Sequence, residues 1–269
     1  MLDVGSLGCK GGVCIQHHRY VFVAGLHRTG TSLVAKLIGS HPQIATIEGA
    51  PVPENEGCYL QGAIPHTARD GVPGHFATDP AQHMTEGHRL NTLETKLRLE
   101  HEWGRWFVSE KPWRVEKSPV NMTRMRLLQA LFPLAQFVVV TRHPLFMAQA
   151  LQKWSDEPVD KLASYGVSAY RQMLGDVQHL HWAVVMRYED LVSRPRAYAH
   201  GLEAFLDLTP AEIALRNIRD GNADYRHMRS DAGTIAELGY GDDGEIEKYE
   251  TLVRHPLRAI LEKTQHALG

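Results

Sequence analysis

Gly25, Gly30, Thr31 and Ser32 fall in the pattern G-x-x-x-x-G-T-S, which has the length and glycine spacing of a phosphate-binding loop. In such a loop the backbone N–H groups converge with a helix N-terminus on an anion, and the Thr31 and Ser32 hydroxyls add donors. The loop's own cation is Arg28. A nucleoside triphosphatase would carry Lys where Thr31 stands, and an Asp at the end of a neighbouring strand to hold Mg²⁺. Here the neighbouring apolar run at 137–141 ends in Arg142. A sulfuryl group on a nucleoside phosphate carries one negative charge, so cationic side chains and backbone dipoles suffice to move it, and the pattern predicts a site without a metal.

Such a loop needs a strand before it and a helix after it. Residues 20–24 (YVFVA) are short, apolar and β-rich, and Leu33, Leu37 and Ile38 share one helical face. A second short strand is read at 43–47. Residues 49–87 then collect Gly, Pro, Asn and Asp without a lasting period, which predicts a long functional loop broken by short helices. Downstream, the patterns predict a helix within 85–106, a strand at 113–116 and an amphipathic helix over 121–132 capped by Asn121 or Ser118. They continue with the strongest strand at 137–141, a helix over 145–154 and a buried strand at 182–186. Beyond 191 the chain reads as mostly helical with glycine breaks. Strands alternating with helices predict an α/β fold, a P-loop-like three-layer arrangement with a central parallel sheet flanked by helices. Residues 1–19 read as a flexible leader and 20–269 as one domain.

With 269 residues, 43% apolar and 22% charged, the chain is not disordered as a whole. A net charge of −2 gives no basis for bulk attraction to nucleic acid or anionic lipid, so any polyanion binds locally. Cys9, Cys14 and Cys58 are too few to staple the fold, and no apolar run reaches the length of a membrane span. A cytoplasmic location is the expectation. Cys9, Cys14, His17 and His18 are zinc-ligand types at poor spacing, and His66, His75, His83, His88 and His101 match no metal pattern.

Four segments, in order, carry a resemblance. They are 27–32 (HRTGTS), 116–119 (EKSP), 137–144 (FVVVTRHP) and 187–191 (RYEDL). Together they resemble the sulfotransferases that use 3′-phosphoadenosine 5′-phosphosulfate (PAPS), in particular the bacterial-type branch similar to tyrosylprotein sulfotransferases. The resemblance implies that Arg28, Thr29, Gly30, Thr31 and Ser32 bind the 5′-phosphosulfate. It implies that Lys117 sits near the transferring sulfate, that Arg142 grips the 3′-phosphate and that Tyr188 contacts adenine. A guanidinium fork suits a phosphate dianion better than an ammonium does.

Three positions depart from the family. Ala150 stands where a Ser often completes the 3′-phosphate site, leaving Gln149, Lys153, Arg226 or Arg229 to do so. Pro119 replaces the catalytic His of cytosolic members, and Leu33 replaces their adenine-stacking aromatic. Without that His, a carboxylate is the natural substitute to take the acceptor's proton. The tyrosylprotein branch places a Glu shortly after a His-Pro, which here is His41-Pro42, and Glu48 falls within one residue of that spacing. Glu48 is therefore the first candidate base, with Glu54 and Glu56 on the adjacent loop as rivals. The acceptor is expected to be a small molecule, glycan, lipid or peptide presenting a hydroxyl or amine. The competing readings are a P-loop kinase or nucleotide hydrolase, and a binding module without catalysis. Oligomeric state is open at this level.

Overall fold

In the computed structural model, residues 18–65, 73–211 and 218–269 are described. The expected leader up to residue 17, with Cys9, Cys14 and His17, lies outside them, as does His66, whereas Arg19 already belongs to the first strand. The strands are β1 (Arg19–Gly25), β2 (Ile44–Thr46), β3 (Trp113–Lys117), β4 (Gln136–Thr141), β5 (Ala183–Arg187) and β6 (Leu252–Arg254). The helices are α1 (Thr31–Gly39), α2 (Leu93–Gly104), α3 (Met125–Leu131), α4 (Pro144–Leu151), α5 (Val159–Val177), α6 (Tyr188–Ser193), α7 (Pro195–Phe205) and α8 (Arg258–Leu268).

The strands form one sheet in the order β2-β3-β1-β4-β5-β6. The first five are parallel, and successive residues feed opposite faces. Tyr20, Phe22, Phe137 and Val139 pack with Trp103 of α2, Leu128 of α3 and Tyr170 of α5. Val21, Val23, Val138 and Val140 pack with Leu37 of α1, Phe205 of α7 and Leu268 of α8. A strand buried on both faces must be apolar at every position, which is why 20–24 and 137–141 read as unbroken runs. The long loop is crossed only by short 3₁₀ turns at Pro53–Asn55, Gly57–Tyr59, Phe76–Thr78 and Pro80–Gln82 among its described residues.

Two expectations are corrected. The predicted helix over 121–132 splits into a 3₁₀ turn at Pro119–Thr123 followed by α3, because neither proposed cap is free. Ser118 Oγ donates to Glu116 Oε1, and the Asn121 amide donates to Glu116 Oε2. Of the region beyond 191, expected to be mostly helical, α7 and α8 are helices, but between them only the turns Asn222–Asp224 and Ala236–Leu238 precede β6 among the described residues. The expected α/β fold with a central, mostly parallel sheet flanked by helices is present, with the edge strand β6 pairing antiparallel with β5. Before β6, Tyr240 meets Thr141 at the end of β4 and the Glu247 carbonyl accepts from Arg187 at the end of β5, so the chain enters β6 from the carboxyl end of β5.

Chain order reverses beside β1, which leads first towards β2 and β3 and later to β4 and β5. Ligands of open α/β sheets bind outside the carboxyl ends of the strands at such a reversal. Gly25, Lys117, Arg142 and Tyr188 lie at or just beyond those ends. No described helix is long and apolar enough to cross a membrane.

Candidate functional site

The loop after β1 is shaped by close approaches. A Cβ on Gly25 would run into the Val140 carbonyl oxygen of β4, so only glycine lets the chain turn there. Arg28 (φ 68°) and Gly30 (φ 96°) are both left-handed. A Cβ on Gly30 would stand 2.8 Å from Cδ2 of the Tyr188 ring, against which this glycine packs. No side chain caps α1, so its first N–H groups remain available at the cavity wall formed by Thr31 and Ser32. Thr29, expected among the ligand-facing residues, is turned inward: it is fully buried and donates to the Leu26 carbonyl at 2.7 Å. The Arg28 guanidinium lies 5.0 Å from the centroid of the Trp154 ring, and its Nε is buried without a partner.

Arg142 follows β4 and is 6% exposed. Its Nη1 donates to the Arg28 carbonyl at 2.9 Å, which ties it to the strained loop, and its Nε donates to Asn222 Oδ1 at 2.7 Å. Its Nη2 is buried with no partner. The guanidinium lies over two rings, 4.7 Å from the centroid of Tyr188 and 5.3 Å from that of Tyr225. Tyr188 lines the cavity, while its hydroxyl accepts from Gly221 N–H and donates to the Arg219 carbonyl. Ala150 is wholly buried, and the four residues expected to compensate for it do not face the cavity. Gln149 exchanges two hydrogen bonds with the Arg226 backbone, Lys153 and Arg226 are exposed, and Arg229 faces Asp242 at 3.5 Å. Asn222 and Tyr225, which sequence reasoning missed, surround Arg142 instead.

Lys117 ends β3, and its Nζ donates to Glu56 Oε1 at 2.8 Å, with side-chain exposures of 7% and 9%. Burial pushes the Glu56 carboxyl above its ordinary value, and the Lys117 charge opposes that rise without cancelling it. The loop that carries Glu56 is held by Glu116, which is fully buried. Glu116 Oε1 accepts from Gly57 N–H at 2.9 Å, and a Cβ on Gly57 would stand 2.6 Å from that oxygen. Ser118 Oγ accepts from Cys58 N–H, and Trp103 Nε1 donates to the Gly57 carbonyl. Burial pushes the Cys58 thiol up to about 12, which leaves it a poor nucleophile.

One cavity of about 700 Å³ brings Arg28, Ser32, Glu56, Arg142, Trp154 and Tyr188 together. His27, also on its wall, is held neutral by burial and by the Lys117 charge, its value lowered to about 4. Its position inside the loop pattern was the only signal in the sequence. Glu48 is exposed, accepts from Thr46 Oγ1 at 2.5 Å and borders a second hollow of about 360 Å³ together with Lys117. Glu54 borders both hollows. Of the three acids, Glu56 is the one paired with the lysine. Among the described residues no cluster of His, Cys, Asp and Glu could hold a metal ion.

A model described as "Sulfotransferase family" matches residues 20–212. Among solved structures, the chain is similar to a sulfotransferase of Alicyclobacillus acidocaldarius, at 17% identity and a TM-score of 0.47, over 77% of this chain and 89% of that one. A sulfotransferase of Mycobacterium tuberculosis H37Rv matches at 17% identity and a TM-score of 0.45, over 72% of this chain and 69% of that one. A mouse sulfotransferase complexed with PAP matches at 11% and 0.39, over 72% and 61%. A search of curated proteins returns no match. The family match runs from the first strand past the last of the four motifs, and the chain belongs to the sulfotransferase family.

Proposed function

We propose that this sulfotransferase draws its sulfuryl group from PAPS and passes it to a hydroxyl or amine, with Glu56 as the base. The observation that carries the reading is the cavity whose wall brings together an uncapped helix N-terminus, a buried guanidinium with a free nitrogen and the Glu56 carboxylate, which is paired behind that wall with Lys117 at the neighbouring hollow. The residues suit the donor. Buried N–H groups left without partners on Arg28 and Arg142 cost free energy unless an anion satisfies them. The loop amides with Thr31, Ser32 and Arg28 would hold the 5′-phosphosulfate, and Arg142 the 3′-phosphate.

When bound, PAPS supplies an activated sulfuryl group on a good leaving phosphate. Glu56 accepts the proton of the attacking hydroxyl or amine, and its raised value makes it a stronger base than an exposed carboxylate. Neutralising Glu56 frees the Lys117 charge, which then offsets the charge developing on the departing phosphate oxygen. Proton transfer and leaving-group stabilisation are thereby coupled through one ion pair. His27, neutral at working pH, adds a polar edge without competing for the proton.

The experiment is a thermal unfolding series with adenosine 3′,5′-bisphosphate set against ATP with Mg²⁺. A ligand that binds only the folded state raises the midpoint according to RT ln(1 + [L]/Kd). A clear rise with the bisphosphate and little with Mg-ATP is expected. The opposite pattern would replace sulfuryl transfer from PAPS with phosphoryl chemistry.

A further inference from the structure

Arg142 is held in place by buried polar groups well outside the phosphate loop. Asn222, 8% exposed, accepts from Arg142 Nε through Oδ1 and donates from Nδ2 to Glu189 Oε1 at 3.0 Å. Glu189 Oε1 also accepts from His143 N–H at 2.9 Å, and Oε2 accepts from the Tyr240 hydroxyl at 3.1 Å. These partners of Glu189 are all donors, so its carboxylate is satisfied and the Asn222 amide has one consistent orientation, nitrogen to Glu189 and oxygen to Arg142. An Asp at this position would set carboxylate against carboxylate, and an apolar residue would abandon both partners. Asn presents a neutral acceptor to the arginine while separating it from the acid behind.

The segment 218–225 that carries Asn222 also comes close to the arginine's free arm. Its backbone is anchored on the Tyr188 hydroxyl at Gly221, and a Cβ on Gly221 would stand 3.5 Å from Arg142 Nη2. Bare backbone therefore passes beside that nitrogen. With Nε on Asn222 and Nη1 on the Arg28 carbonyl, Nη2 is left as the one free arm of a fixed fork.

We propose that Asn222 is the positioning residue that sets this site's preference for a nucleoside bearing a phosphate on its 3′-oxygen over one that lacks it. The inference rests on the PAPS reading above. The Asn222 amide bridges Arg142 Nε to Glu189 Oε1, and its loss removes the neutral group that links the cation to the acid. The guanidinium then pairs with the carboxylate, and the charge that the 3′-phosphate uses is neutralised within the protein.

The test is calorimetric binding of adenosine 3′,5′-bisphosphate and of adenosine 5′-phosphate to the wild type, Asn222→Ala, Arg142→Lys and the double variant. A hydrogen bond to a charged group governs the expected effect. Asn222→Ala should weaken the bisphosphate roughly tenfold to a hundredfold and the 5′-phosphate by no more than about twofold. In the Arg142→Lys background, which has no Nε, Asn222→Ala should change neither ligand further. Asn222→Ser, too short to span both partners, gives the same comparison if the alanine variant does not fold. Equal weakening of both nucleotides, or an undiminished Asn222 effect beside Lys, would mean a merely structural role and overturn the proposal. A wild type with no preference for the bisphosphate would remove the PAPS reading, and this proposal with it. A preference that survives Asn222→Ala overturns this proposal alone.

Discussion

Arg142 and Lys117 occupy equivalent places, each at the carboxyl end of a strand flanking β1, and both are more than nine-tenths buried. Their partners differ in kind. Lys117 is balanced by the carboxylate of Glu56, whereas Arg142 is met by two neutral oxygens and two aromatic faces, and forms no ion pair among the described residues. A buried cation with neutral partners keeps its charge for an incoming anion, which suits binding. A buried cation with an acid partner releases its charge only when that acid takes up a proton, which suits chemistry. Under the proposed function, these two cations, Arg142 on the larger cavity and Lys117 behind Glu56 at the neighbouring hollow, divide the work between holding and transferring.

The largest effect that separates the two cations is expected from Lys117→Ala. Turnover should fall by about a hundredfold or more, as when an oxyanion donor is removed. Stability should fall by about 3 kcal/mol, because Glu56 is left buried and unpaired. Steady-state kinetics and melting check both, and near-normal turnover would mean that the ion pair is structural. Next in size, Arg142→Ala should weaken the bisphosphate by roughly a hundredfold, as expected for a charged, bidentate-capable partner, with a smaller change in kcat. A loss confined to kcat would reverse the proposed division.

How far this division is legible in the sequence depends on range. The run at 20–24, the glycines at 25 and 30, and Arg142 after its apolar strand are local signals, and each element forms where expected. Which of Glu48, Glu54 and Glu56 pairs with Lys117 is not a local matter. Glu116 fixes Gly57 from 59 residues away, and Glu56 beside it meets Lys117. Spacing from His41-Pro42 points to Glu48, which borders the neighbouring hollow together with Lys117 and accepts from Thr46. Asn222 is equally hidden, since it meets Arg142 across 80 residues from a segment that carries no regular pattern. The split of the helix predicted over 121–132 has the same origin, because Ser118 and Asn121 are drawn to Glu116 rather than to the helix end.

A smaller prediction concerns His143, which lies beside Arg142 and whose Nδ1 accepts from Leu145 N–H at the start of α4. Burial lowers its value from 6.5 to about 4. The unfolded chain therefore binds more protons than the folded one across this window, so stability is lost as pH falls from 6.5 towards 4. His143→Asn keeps an acceptor at the helix start and does not titrate, so a plot of stability against pH should be flatter over that interval. An unchanged slope would show that His143 carries none of the acid sensitivity.

The most direct test of the central claim is Glu56→Gln, with PAPS turnover across an alcohol panel and bisphosphate affinity measured on the same preparation. Turnover should drop by at least roughly a hundredfold, while the bisphosphate Kd stays within about twofold. The wild type should lose activity on acidification with a midpoint above the ordinary carboxylate range, because the base must be ionised and burial raises its value. Undiminished turnover in Glu56→Gln, or a Kd that weakens in step with turnover, would contradict the separation of holding from transfer on which the account rests.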